Sequence, residues 1–144
     1  ERDICAIIDM DGDLDIGVPS VPNQYLYIYF PIDDILTLPD LEKLHAVARL
    51  GAILVNSGLR VLSHCGMGHN RCALVAGLIL TYMGLSGQEA VELIRARRQG
   101  ALYNKAFAEY IAAQPAMRLD AGLSLATAPA QTLLRAIANQ DSSE

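Results

Sequence analysis

At 144 residues, with 52% apolar side chains and a mean hydropathy of +0.26, the chain is long enough to bury one core unaided and too apolar to be disordered over most of its length. Its net charge of −5 offers no broad basic face and argues against nucleic acid as a partner. Three cysteines, an odd number, make no disulfide framework and imply a reducing, cytoplasmic setting; the longest apolar run, Ala73 to Leu80, is far short of a membrane span, and no signal peptide is visible.

Ile4 to Met10 is apolar and β-branched and predicts a buried strand. It runs into the acidic stretch Asp9-Met10-Asp11-Gly12-Asp13-Leu14-Asp15. A calcium loop would need glycine where Leu14 or Ile16 stands. The Asp-x-Asp-Gly-Thr motif of haloacid-dehalogenase-like phosphatases would need threonine where Asp13 stands, and no later acidic pair with a suitable lysine follows. The stretch reads as an acidic turn after a strand. Gly17 to Asn23 is a loop, and Gln24 to Ile32 a strand in which Tyr25, Tyr27 and Tyr29 alternate with Leu26, Ile28 and Phe30, tyrosines on one face of a sheet. Pro31 ends it, and Asp33-Asp34 follow.

Leu38 to Asn56 predicts a helix with Pro39 near its first turn and a stripe of Leu41, Leu44, Val47 and Ala48; Asn56-Ser57-Gly58 closes it. His45 lies near that stripe and has no metal spacing to His64 or His69. Arg60 to Ser63 is a strand that leads into His64-Cys65-Gly66-Met67-Gly68-His69-Asn70-Arg71 and then a helix, Asn70 to Met83, apolar nearly all round. A turn containing Gly66 and Gly68 can curl so that its N–H groups converge on an anion. The helix adds the positive end of its dipole, and Arg71 a planar fork that fits two phosphate oxygens. Cys65 at such a site is expected to be a thiolate. Gly66, Met67, Gly68, His69, Asn70 and Arg71 are therefore the expected phosphate-binding residues.

Ser86-Gly87-Gln88-Glu89 is a capping box opening a helix to Arg98, whose basic end, Arg95, Arg97 and Arg98, is explained by the helix dipole, with a role for one of them in drawing acidic substrates in as the alternative. Asn104 predicts an N-cap for a helix to about Ala113. Ala116 to Ala128 reads as irregular and 129–138 as a short amphipathic helix, within a C-terminal extension of 116–144 behind a domain of 1–115. Strands alternating with helices predict an α/β fold, three-layered, with a mainly parallel central sheet flanked by helices and the site at the strands' C-terminal ends.

His64-Cys65, five residues and Arg71, with Gly68 three after the cysteine, resembles the signature loop of the cysteine-dependent protein tyrosine phosphatase superfamily, in its dual-specificity-phosphatase-like form. The resemblance spans roughly 4–114; the short hairpin and helix that often precede the first strand in that family have no counterpart here. It implies phosphomonoester hydrolysis through a phosphocysteine on Cys65, with no cofactor or metal. His64 would help hold the thiolate. Phe30-Pro31-Ile32-Asp33-Asp34 resembles the family's general-acid segment, which implies Asp34 as the acid and Asp33 as the reserve. Asn104 resembles an asparagine that fixes the signature loop. The chain departs from the family at Cys72, where serine or threonine usually follows the arginine. Thiols are weak donors, so breakdown of phosphocysteine is expected to slow; for Cys72 itself two readings stay open, a reversible disulfide with Cys65 and a small apolar residue packed under the loop. With no lysine in the loop, the expected substrate is a phosphorylated protein or peptide: phosphotyrosine, and through a shallow site phosphoserine and phosphothreonine. The competing reading is a catalytically weak phosphate-binding module.

Overall fold

The computed structural model describes residues 4–13 and 25–119. The expected C-terminal helix over 129–138 lies outside the described residues.

Three short parallel strands form the sheet: β1 (Ala6–Asp9), β2 (Leu26–Tyr29) and β3 (Val61–His64), in the order β2-β1-β3. Ile8 stands level with Ile28 on one side and Ser63 on the other, so the three strands end side by side at Asp9, Tyr29 and His64. β1 is central and its Ala6 and Ile8 are fully buried, as its β-branched composition predicts.

Among the described residues, four helices flank the sheet: α1 (Leu41–Asn56), α2 (Arg71–Tyr82), α3 (Gly87–Arg97) and α4 (Lys105–Ala112). Their apolar faces meet Ile8 and Met10 in one core with Leu44, Leu74, Leu78, Phe107 and Ile111. α2 is buried along most of its length, in keeping with its lack of a polar face. α1 begins at Leu41, three residues later than the expected Leu38, because the Asp40 carboxylate caps it by accepting from Lys43 N at 3.1 Å. Both halves of the Ser86–Glu89 capping box form, at 3.2 and 2.8 Å. Met117 N donates to Thr81 O at 2.8 Å, and Arg118 bridges to Met83, so the chain beyond Pro115 stays on the domain as far as Leu119.

The fold is thus the α/β class expected, a parallel sheet flanked by helices. It places the end of β3 and the start of α2 on the same edge, with the turns that follow β1 and β2 beside them.

Candidate active site

Residues 65–70 turn from β3 into α2. Gly68 has φ +67°, a conformation side chains resist, and this bend directs its N–H to the sulfur of Cys65. A Cβ on Gly66 would stand 3.2 Å from both Arg71 Nη2 and the Asp11 carboxylate, so glycine there lets both groups close on the loop. Ser63 Oγ donates to Cys72 O at 2.8 Å and ties the strand's end to the helix's first turn.

Cys65 is buried, and its pKa is pulled from 9.0 down to about 5. The largest cause is the Cys72 thiol, which hydrogen-bonds to the Cys65 sulfur. Burial opposes it; the N–H groups of Cys72 and Gly68 and the charge of Arg71 act with it. Cys72 itself is pushed up, because it faces that anion and is buried. The thiolate was expected from the arginine and the helix terminus. The neighbouring Cys72 thiol adds to these as a hydrogen-bond donor to the sulfur.

Arg71 is anchored at one end. Its Nη1 donates to Met10 O at 3.3 Å, Ile32 O at 3.4 Å and Asp11 Oδ1 at 3.2 Å. Its Nε is buried and has no hydrogen-bond partner. A buried guanidinium N–H without an acceptor is costly unless something supplies one. With Nη1 occupied, the Nε–Nη2 edge is presented on the side of Gly66, as the fork that an oxyanion accepts.

Asp11 was read only as part of an acidic turn. It is ion-paired to Arg71, and Gly12 N–H, foremost, and Arg71 hold its carboxyl below the usual range. The turn is fixed from the tyrosine strand. Tyr27 OH bonds to the fully buried Asp9, Asp9 Oδ1 accepts from Asp11 N at 2.9 Å, and Tyr29 OH donates to Gly12 O at 2.8 Å. The alternating tyrosines therefore do more than fill a sheet face. A buried Asp9 held by Tyr27 is also unlike an exposed nucleophile, against the dehalogenase-like reading. His64 closes β3 beside Asp9 and acts electrostatically on Asp11.

Asp34 is exposed, and it is brought to the loop as expected. Its carboxylate accepts from Asn70 Nδ2 and from Asn104 Nδ2, both at 2.9 Å. Asp33 is exposed on the same segment. Asn104 also donates N–H to Asn70 Oδ1 at 3.0 Å and caps α4 through Phe107 N at 3.3 Å, so its capping and loop-fixing readings both hold. His69 O accepts from Leu102 N at 2.9 Å, with Leu102 held at φ 58°, and the His69 ring lies 6.2 Å from that of Tyr103. Arg98, explained beforehand by the helix dipole, reaches Met67 O at 3.5 Å, and Arg95 reaches Leu102 O at 2.9 Å. Among the described residues, no group of three or more His, Cys, Asp or Glu side chains is placed to hold a metal ion, and no helix is long and apolar enough to cross a membrane.

Neither a family model nor a curated protein matches the sequence. Solved structures do. Tk-PTP in its active form shares 28% identity over 75% of this chain and 76% of its own, with a TM-score of 0.61. Human DUSP28 aligns at 19% identity over 76% and 72% of the two chains with a TM-score of 0.66, and DUSP15 at 20% over 76% and 68% with 0.63. The last two are likenesses of fold. Taken with the loop between β3 and α2, these likenesses give the chain the protein-tyrosine-phosphatase-like fold and make it similar to the cysteine-dependent protein tyrosine phosphatases.

Proposed function

We propose that the chain is a phosphoprotein phosphatase that works through a phosphocysteine on Cys65. The observation that carries this reading is the pairing of a thiol with a pKa of about 5 and a buried arginine Nε that has no acceptor. The first is a nucleophile ready at neutral pH. The second needs an oxyanion. Phosphatase neighbours of the same fold support the same conclusion.

In the first step the Cys65 sulfur attacks phosphorus in line. The Nε–Nη2 edge of Arg71 and the N–H groups from Gly66 to Arg71 take the equatorial oxygens, where charge is spread in the transition state. Met67, His69 and Asn70 contribute backbone and shape to that cradle. Asp34, in its acid form, protonates the leaving oxygen as the P–O bond breaks; its position between Asn70 and Asn104 supports it over Asp33. In the second step water attacks the phosphocysteine, giving up a proton to Asp34, and the thiolate leaves. The Cys72 thiol then stabilises it by donating a hydrogen bond, the place a hydroxyl holds elsewhere in the family. His64 supports the end of β3 from which Cys65 projects. No step calls for a metal or cofactor. The substrate is a phosphotyrosine protein or peptide, with phosphoserine and phosphothreonine admitted by an open site, and the setting is the cytoplasm.

The test is hydrolysis of para-nitrophenyl phosphate with EDTA and reductant present, by wild type and Cys65→Ser. Turnover that survives EDTA and disappears in Cys65→Ser is the expected result. A wild type that binds phosphate analogues without turnover would establish the binding-module reading instead.

A further inference from the structure

The most exposed large apolar side chains among the described residues are Leu36 at 75%, Met67 at 70%, Tyr103 at 65% and Ile35 at 54%. They are far apart in sequence, yet all four belong to the segments that build the phosphate cradle. Met67 is in the loop itself. Ile35 and Leu36 follow Asp34, and Asn104 Nδ2 holds Ile35 O at 2.8 Å. Tyr103 precedes Asn104, against the ring of His69. Scattered exposed apolar residues need no explanation, but a cluster around one concavity marks a contact surface. Between these segments runs a groove of about 210 Å³ lined by Asp34, Ile35, Leu36, Tyr103 and Asn104. A cavity of roughly 150 Å³ accepts a benzene ring, so the groove has room for one aliphatic or aromatic side chain.

We infer that this groove takes an apolar side chain next to the phosphorylated residue, and that the substrates are phosphopeptide segments with apolar flanks. The inference rests on the activity proposed above. The groove begins at Asp34, and Asp34 must meet the leaving oxygen. Whatever carries that oxygen therefore passes over Ile35, Leu36 and Tyr103, and the leaving group is what covers them. Charge narrows the class further. Asp34 lines the groove and follows Asp33 in the chain, Asp11 is paired to Arg71, Arg98 reaches Met67 O, and the loop carries no lysine. An acidic flank would pass the exposed Asp33 carboxylate, and a polyanionic lipid headgroup on an anionic membrane would meet a chain of net charge −5. An apolar flank meets none of that repulsion and gains contact area.

The experiment uses phosphotyrosine peptides identical except for the two residues flanking the phosphotyrosine, which are leucine, glycine or glutamate, together with a phosphoinositide in phosphatidylcholine vesicles. The kcat/KM of each is measured. A single apolar contact of this size is expected to favour leucine over glycine about tenfold, with glutamate below glycine. In Leu36→Asp and in Tyr103→Ser the leucine-to-glycine ratio is expected to fall toward one. The same ratio, read as Kd on Cys65→Ser, keeps the two proposals apart. Failure to hydrolyse even para-nitrophenyl phosphate would refute the activity, while the binding ratio still decides the groove. A wild-type ratio near one, a preference for glutamate, a ratio unmoved by both substitutions, or faster turnover of the phosphoinositide than of any peptide would overturn the inference.

Discussion

Replacing Cys72 by alanine removes the thiol that contributes most to ionising Cys65 and leaves the N–H donors of Gly68 and residue 72 and the charge of Arg71 in place. A hydrogen bond to a charged group contributes about 1.5–3 kcal/mol, and a thiol, as a weak donor, belongs at the low end. Divided by 1.36 kcal/mol per pKa unit, a loss of about 1.5 kcal/mol raises the pKa by about one unit, from near 5 to near 6. Cys72→Ser keeps a donor and is expected to stay low. The assay is the rate of Cys65 alkylation by iodoacetamide as a function of pH, in a background where Cys5 is replaced by serine. At pH 7 the alanine variant would still be about nine-tenths ionised, so its kcat/KM should fall little there and clearly below pH 6. An alkylation half-point that remains near 5 in Cys72→Ala would refute the reasoning and return the effect to Arg71 and the loop.

Three further outcomes are expected. Asp11→Ala leaves Arg71 Nη1 with two backbone acceptors and should raise KM for a phosphate ester by a few-fold; Asp11→Asn, which keeps an acceptor, should lie much nearer wild type, and equal KM values for all three proteins would contradict the anchoring role. His45 bonds to Tyr82 and Tyr110 at 2.7 and 2.6 Å, and its pKa lies below 6.5 because of burial first and Arg49 second. The unfolded chain then binds more protons just below pH 6.5, so His45's stabilisation is complete above that value and is lost as pH falls from it toward the lower folded pKa. The Tm difference between wild type and His45→Leu should shrink on acidification, and a constant difference would count against this. Mild peroxide should oxidise the Cys65 sulfur to a sulfenic acid that the Cys72 thiol displaces, releasing water and closing a disulfide; mass spectrometry finding sulfinic acid on Cys65 and no internal disulfide would exclude that protective role.

What could be read in the sequence is what local chemistry determines. The start of α3 was legible because Ser86 and Glu89 satisfy each other's orphan N–H groups over three residues. The Cys65–Arg71 loop was legible because its spacing and its place between strand and helix are both local. The Asp11–Arg71 pair was not: 60 positions separate its members, and the turn that aims Asp11 is fixed by Tyr27 and Tyr29 from a neighbouring strand. Composition alone made those tyrosines sheet filler. The reach of Arg98 to Met67 O was hidden for the same reason, because 31 positions separate the two residues. Gly87 lies inside the capping-box stretch, and a Cβ there would stand 1.8 Å from Ile111 O, a close approach of α3 and α4 that only packing reveals.

The measurement closest to the central claim is rapid acid quench of the enzyme during turnover of a phosphotyrosine peptide, followed by mass spectrometry of the Cys65 peptide. Asp34→Ala should be included, because a lost general acid typically slows such a step about 10²–10⁴-fold and changes how much intermediate accumulates. A phosphoryl group is expected on Cys65, absent in Cys65→Ser and lost when Arg71 is replaced by lysine, which lacks the fork. Steady turnover with no phosphate on Cys65 at any quench time, or with phosphate on an aspartate instead, would contradict it.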